Sequence, residues 1–372
     1  MGSPNKKYAD AGKRRLGNDT FRYRHRRAIT ITLGVILFTL AAGGTYLFSL
    51  NAKFGQIART SANTLAEENR PDPDEGKALN ILLMGTDAGS GADGGNSGGQ
   101  SIKKDLAAAQ WPSGKYRSDS MMIVHISADR KNVYVVSIPR DTLLPLYDAT
   151  GEYRYNSKVN AAFSFYGPIG ALSTVENLSG LRMKHTVIID WVGFRDLSTA
   201  LGGVRIYIPE TVYDSSQKIT WEKGWHELKG KRALAYVRTR YGLVNGDFGR
   251  IERQQNFIRA TMKQLLNKGT LTNPIRLNSV LNALTQNVIL DAEWETADIR
   301  ALALSLRGTQ AENVTFLTLP TSCCGNDKAN GSYVKYNEAQ SKELFEALRN
   351  DDMTAYLAKY PEAGLKEAEE IK

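Results

Sequence analysis

The sequence predicts an α/β fold: a single three-layer-like domain with a central mixed β-sheet flanked by helices, preceded by one transmembrane helix. Three observations carry this reading. Short apolar and β-branched runs alternate with segments of helical period from about residue 80 to 350. No run recurs at a fixed period, which excludes a solenoid. An uncharged stretch of 25 residues, 28–52, stands in front of them, and about 20 apolar residues suffice to cross a bilayer.

The charge distribution supports the anchor. The chain of 372 residues carries a net charge of +9, but residues 1–28 hold nine basic and two acidic side chains. A basic tail (1–27) before an apolar span (28–52) places the N-terminus in the cytoplasm and everything after residue 52 outside. A signal peptide has a shorter apolar region, about 7–15 residues. Attraction to anionic inner-leaflet lipid accounts for the tail, so the net charge calls for no nucleic-acid partner.

The elements follow in order. Residues 53–78 are polar and read as an extracellular stalk and linker. Residues 80–87, NILLMGTD, form an apolar run closed by Gly-Thr-Asp, a strand ending at a loop. Residues 88–116 hold seven glycines and little that is apolar, so they form either a mobile lid or disordered chain. Strands are expected at 121–127 and 133–138, and helical pieces at 160–166 and 169–178. A strand at 185–190, a helix at 193–201 and a strand at 204–208 have the spacing of a βαβ unit. Helices at 228–238, 250–267, 274–288 and 296–306, a strand at 313–319 and a helix at 336–349 complete a domain spanning 79–350. Residues 351–372 read as a polar C-terminal helix and tail.

Four segments set charged residues at strand ends or helix starts: Gly85-Thr86-Asp87, Arg117-Ser118-Asp119, Arg140-Asp141 and Arg238-Thr239-Arg240 with Asp247, Arg250 and Gln254. If a helix begins near Asp247, Arg250 and Gln254 share one face. Arginine forks suit phosphate oxygens, although the same residues also make an ordinary solvated helix face. Asp87 and Asp119 are candidate ligands for a hard divalent cation, or alternatively cap turns and pair with Arg117. The four histidines are scattered and two cysteines are too few for a thiolate zinc site. The apolar residues around these segments are core by default, and an apolar pocket cannot be told from core in a sequence.

These stretches resemble the LytR–CpsA–Psr (LCP) family, the envelope glycopolymer ligases of Gram-positive bacteria. The matching segments are NILLMGTD (80–87), RSDSMMIVHIS (117–127), VVSIPRDT (135–142), KVNAAFSFYGP (158–168), DWVGFRDLSTALGGV (190–204), and GWHELKGKRALAYVRTR with DFGRIERQQ (224–255). The resemblance implies transfer of a polyprenyl-pyrophosphate-linked glycopolymer, with its phosphate, onto a peptidoglycan hydroxyl. It implies headgroup contacts from Arg117, Arg140, Arg238, Arg240, Arg250 and Gln254. Asp87 and Asp119 would hold Mg²⁺, or Mn²⁺ in its place, with Asp247 and Asp141 as further acidic positions. The lipid tail would lie in an apolar tunnel between sheet and helices. A pyrophosphatase acting on the same lipid, and a non-enzymatic lipid-phosphate-binding scaffold, would use the same residues. The long connection at 88–116 departs from the simpler family pattern. Cys323 and Cys324 bond to each other, stay free, or bond to another molecule, an oxidising compartment allowing a disulfide.

Overall fold

The computed structural model describes residues 52–53, 55, 57–60, 65–73, 76–88, 102–103, 105–106, 111–239, 241–242, 247–266 and 273–366, without the side chains of 87–88, 190–192, 247–248, 266, 274, 277, 307 and 311. The chain divides into two compact units at Gly55 and Gln56, and the second is the one described below. The expected basic tail, and all of the expected membrane span except Ala52, lie outside the described residues. Among the described residues no helix is long and apolar enough to cross a membrane.

In chain order the strands and helices begin with β1 (Ala58–Arg59), β2 (Leu79–Ala88), β3 (Tyr116–Ile126), β4 (Val133–Ile138), β5 (Leu143–Tyr147), β6 (Tyr153–Lys158) and α1 (Val159–Ser179). There follow β7 (His185–Asp190), α2 (Trp191–Ala200), β8 (Val204–Ile208), β9 (Val212–Asp214), β10 (Ile219–Trp221) and β11 (Gly224–Leu228). Then come α3 (Gly230–Arg238), α4 (Asp247–Leu266), α5 (Pro274–Asn287), β12 (Val288–Leu290) and α6 (Thr296–Ser305). The last are β13 (Val314–Thr318), β14 (Thr321–Asp327), β15 (Gly331–Tyr336), α7 (Glu338–Arg349) and α8 (Met353–Lys359).

A seven-stranded sheet in the order β1-β12-β7-β2-β3-β4-β13 forms the centre. It is mixed, as expected: β2 runs parallel to β7 and antiparallel to β3, while β4 runs antiparallel to β3 and parallel to β13. Strand alternation turns Leu82, Met84, Ile123 and Val136 into one core, which they share with Val159, Phe163 and Val175 of α1 and with Leu344 and Leu348 of α7. A second core joins α2, α3, α4 and α5 to the β8–β11 ribbon around Trp221, Tyr236 and Phe257. Helices therefore pack in two groups, each with its own core.

Helix α1 is interrupted where two helical pieces were expected. Gly167 adopts φ 73°, ψ −167°, and Pro168 follows it. Pro168 has no N–H to give the carbonyl of Ser164, four residues earlier. Trp111 Nε1 and the Gly114 amide take its place, at 3.0 and 2.9 Å. A Cβ on Gly167 would lie 3.0 Å from Trp111, so the glycine serves both the turn and the close approach of the indole.

Four expectations are corrected. The βαβ unit is not formed: β8 leaves the central sheet and pairs antiparallel with β11. Gly202 and Gly203, both at positive φ, turn the chain away, and β8 is buried on one face only, which suits an amphipathic ribbon and not a central parallel strand. The stalk is in part domain. β1 pairs with β12, Leu65 is buried in the core, and Arg70 makes a two-point ion pair with buried Glu176 at 3.0 and 2.6 Å. The C-terminal segment is also domain, because Met353 and Tyr356 enter the core and the Leu365 amide bonds the Phe316 carbonyl. The hairpin β5–β6 stands where no strand was expected.

Candidate functional site

Topology brings the polar segments to one edge of the sheet. Parallel pairing puts the C-terminal ends of β2 and β7 together, with Thr86 opposite Asp190. Antiparallel pairing brings the start of β3 to the same edge, with Asp87 opposite Arg117 and Ala88 opposite Tyr116. The end of β4 follows, Ile138 lying opposite Met121, so the loop carrying Arg140 and Asp141 starts there. The 88–116 connection thus leaves the ladder closed to its last pair. Of its described residues, Ile102 and Leu106 are buried in the core and Asp105 accepts from the Tyr116 hydroxyl at 2.6 Å.

Asp119 occupies an irregularity in that ladder. Gly85 pairs with Ser120 and Thr86 with Ser118, so Asp119 is the extra residue of a bulge, a device that re-aims a side chain. A Cβ on Gly85 would fall 2.2 Å from Ser120 Oγ, so a side chain there would turn that hydroxyl aside. Asp119 Oδ1 accepts from Arg140 Nη1 at 2.9 Å. Arg140 Nε lies 3.5 Å from Asp141, whose other oxygen lies 3.5 Å from Lys158 Nζ. Two carboxylates and two cations therefore alternate along this edge, all about four-fifths buried or a little less: the side chains of Asp119 and Arg140 are 19% and 21% exposed.

Helix α4 begins at Asp247 as expected and carries Arg250 and Gln254, both buried, one turn apart on one face. What holds it to the site is Gln255. Its amide donates to Ser137 Oγ (2.7 Å), the Leu317 carbonyl (2.8 Å) and Thr318 Oγ1 (3.1 Å), clamping α4 onto the ends of β4 and β13. Gln254 Nε2 reaches the Val237 carbonyl at 3.4 Å, tying α4 to the end of α3, where Arg238 is exposed. Arg253 is buried with its guanidinium carbon 5.2 Å from the Tyr236 ring centroid. Burial pushes this guanidinium below its ordinary pKa and the Tyr236 phenol above its own.

Of the expected residues, Arg140 contacts both Asp119 and Asp141. Arg117 is exposed on the neighbouring pair, and Arg250 and Gln254 are buried on α4, which Gln255 ties to the ends of β4 and β13. Arg240 and the side chains of Asp87 and Asp247 lie outside the described residues. Lys158, Thr86 and Gln255 were not anticipated. Lys158 stood in a matched motif, but its tie to Asp141 depends on the unanticipated β5–β6 hairpin. Of the alternatives for the cysteines, a bond between the two is not formed: Cys323 and Cys324 are free and exposed. They are successive residues of β14, opposite Lys335 and Val334, and successive strand side chains point to opposite faces. Among the described residues the histidines have structural partners: His125 lies between Asn80 and Asp351, His185 on Asp291 with its ring stacked 4.2 Å from Trp294, and His226 against the Glu222 carbonyl.

A hard cation fits the donor set at this edge. Besides the Asp119 carboxylate there is the hydroxyl of Thr86, buried and without a hydrogen-bond partner. Mg²⁺ needs only one or two carboxylates, its remaining positions being taken by waters and phosphate oxygens. Among the described residues no group of three or more His, Cys, Asp or Glu could hold a metal ion.

A cavity of about 240 Å³ is lined by Leu65, Trp111, Ile169 and Leu172 and by the polar Arg70 and His185. Its lining runs from His185, which begins β7, to Asp105 and Trp111, which meet Tyr116 at the start of β3. It follows α1, whose first residues meet that edge through the Asn160 amide and the Arg140 carbonyl.

Comparison with known proteins agrees with this geometry. The LytR_cpsA_psr family model matches residues 47–350. A cell wall biosynthesis protein, LcpA, of Corynebacterium glutamicum is 30% identical over 296 residues, 72% of this chain and 55% of that protein. The chain thus matches little more than half the length of that relative. The polyisoprenyl-teichoic acid–peptidoglycan teichoic acid transferase TagV of Bacillus subtilis is 33% identical over 180 residues, 47% of this chain and 44% of that one. The crystal structure of B. subtilis TagV superposes with a TM-score of 0.58 at 25% identity, covering 74% of this chain and 98% of that structure.

Proposed function

The chain belongs to the LytR_cpsA_psr family, and from that premise we propose that it transfers a polyprenyl-pyrophosphate-linked glycopolymer, with its phosphate, onto a hydroxyl of peptidoglycan. The observation that carries the reading is the edge where Asp119 and Arg140 meet at 2.9 Å beside Asp141 and Lys158. The named activity of the TagV relative supports the substrate class.

The chemistry is an exchange at the phosphorus next to the glycan. A bond forms from the acceptor oxygen to that phosphorus, and the bond to the outgoing polyprenyl phosphate breaks. Arg140 and Arg250, with Arg117, Arg238, Arg240 and Gln254, bind the pyrophosphate oxygens and meet the charge that develops on them. Asp119, Thr86 and Asp87 would hold Mg²⁺ or Mn²⁺, which would supply further neutralisation of that charge. Asp119 is engaged by the short Arg140 contact. Asp141 stands 3.5 Å from each of its cations and is the better placed to receive the acceptor hydroxyl proton. The isoprenoid tail runs beneath α1 toward the apolar wall of the cavity. The basic N-terminal tail stays in the cytoplasm, the 28–52 span anchors the chain, and the domain works outside the membrane.

Incubating the full chain with a prenyl-pyrophosphate glycan, Mg²⁺ and peptidoglycan fragments tests this. Glycan joined to the acceptor through a phosphodiester is the expected product. Lipid monophosphate and free phosphorylated glycan, with or without acceptor, would show a pyrophosphatase instead. A tight complex without turnover would show a lipid-phosphate-binding scaffold.

A further inference from the structure

The β5–β6 hairpin has a dry face and a wet face. Paired residues share a face, so Leu144 and Leu146 turn into the core. Leu143 with Lys158 and Pro145 with Asn156 turn outward. The register then slips between Leu146 and Tyr147, so that Tyr147 lies opposite Tyr153. The slip adds this pair to the outer face. Tyr153 is 55% exposed, its ring edge-on to Tyr147 with centroids 6.0 Å apart. Its hydroxyl reaches Asn156 Oδ1 at 3.4 Å. The outer face is thus a continuous strip of Tyr153, Tyr147, Pro145 and Asn156, and it ends at Lys158, whose amine meets Asp141.

This strip is held rigidly. Asp148 closes the hairpin loop by accepting from the Thr150 amide and hydroxyl (2.8 and 2.6 Å), the Glu152 amide (3.2 Å) and Arg154 Nε (2.7 Å). Asn69 pins the loop from outside through the Thr150 carbonyl at 2.7 Å. Large aromatic rings left in solvent on an ordered scaffold cost little entropy to bind with.

We propose that the outer face of β5–β6 is the subsite for the acceptor glycan, a hexosamine chain whose reactive hydroxyl is delivered to Asp141. The proposal rests on the transfer reading above for the identity of the glycan. The rings of Tyr153, Tyr147 and Pro145 offer flat apolar surfaces to the C–H faces of pyranose rings. The Asn156 amide offers both a donor and an acceptor to sugar hydroxyls. The charges along this strip are paired, Lys158 with Asp141 and Arg154 with Asp148, which leaves the rings and the Asn156 amide to contact a saccharide. The strip also ends on a carboxylate, the group an incoming hydroxyl needs, whereas the donor's phosphates need the arginines.

The test uses the full chain and three probes: peptidoglycan glycan strands stripped of their stem peptides, the stem peptide alone, and polyprenyl phosphate. Wild type binds the glycan without donor present. Tyr153→Ala with Asn156→Ala weakens that binding about tenfold or more, raises KM for the acceptor in transfer, and leaves kcat and polyprenyl-phosphate affinity unchanged. Tyr153→Phe behaves as wild type, and Trp225→Ala, an aromatic 50% exposed on another hairpin, changes nothing. Glycan binding undiminished in the double variant overturns the proposal. So does an equal loss in Trp225→Ala, a loss of polyprenyl-phosphate affinity instead, or equal binding of stem peptide alone. Tyr153-dependent glycan binding by a protein that makes no phosphodiester keeps the subsite and removes the transfer reading.

Discussion

At the scale of single residues, the site depends on one carboxylate placed by an irregular ladder. Asp119 is legible in the sequence as an acid near a strand start, next to Arg117 and two residues before an apolar run. Its pairing with Arg140 follows from antiparallel neighbours β3 and β4, which the sequence also suggests. Lys158, Thr86 and Gln255 were not legible, because each acquires its role from a partner far away in the chain: Gln255 meets Ser137 and Thr318. Ion pairs away from the site make sharper stability predictions. Glu176 is fully buried against Arg70, and removing one member of such a pair leaves a buried charge unmatched. Glu176→Gln should lower unfolding free energy by about 3–5 kcal/mol in urea denaturation. Asp148 gives a pH test. Burial alone would raise its pKa, but the Thr150 hydroxyl, Arg154 and two backbone amides outweigh this and hold it below 3.8. A carboxyl held lower in the folded chain stabilises fully above the unfolded pKa and loses that contribution as pH falls through the folded one. Asp148→Asn should therefore be less stable than wild type at neutral pH, the gap closing below about pH 4 as the wild-type carboxyl is protonated.

At the scale of elements, the expected strand and helix positions mostly match, because apolar period dictates them locally. The two helical pieces at 160–166 and 169–178 were legible from Gly167-Pro168, and the kink is built on those residues. What could not be read was that Trp111, in a glycine-rich connection, repairs the hydrogen bond that Pro168 removes. The β5–β6 hairpin was missed because LLPLY contains a proline and YRYNSK lacks an apolar alternation. The βαβ expectation failed because strand spacing says nothing about which sheet a strand joins. Gly167→Ala tests the kink. The residue occupies a backbone region essentially reserved for glycine, and its Cβ would press on Trp111. The variant should lose about 1–3 kcal/mol by thermal unfolding, with Trp111 fluorescence shifted toward that of an exposed indole.

At the scale of the whole molecule, a mixed sheet converges four strand ends on one edge, and two helix groups flank it. The sequence reading reached that architecture from alternation and motif order. It drew the domain too narrowly, because polar composition at 57–73 and 351–366 concealed the few residues that pack, Leu65, Met353 and Tyr356. Deleting residues 351–372 should consequently destabilise the domain, seen as a fall in Tm of several degrees or more. The charge of +9 belongs mainly to the first 28 residues, so the folded domain's chemistry lies in where its few arginines stand. The most direct test of that claim labels the phosphorus next to the glycan of a polyprenyl-pyrophosphate donor and follows it in the presence of peptidoglycan. Wild type should carry the label into the wall polymer, and Asp119→Ala, folded and with unchanged Tm, should do so about a hundredfold more slowly or worse. Transfer by Asp119→Ala at the wild-type rate would contradict the account.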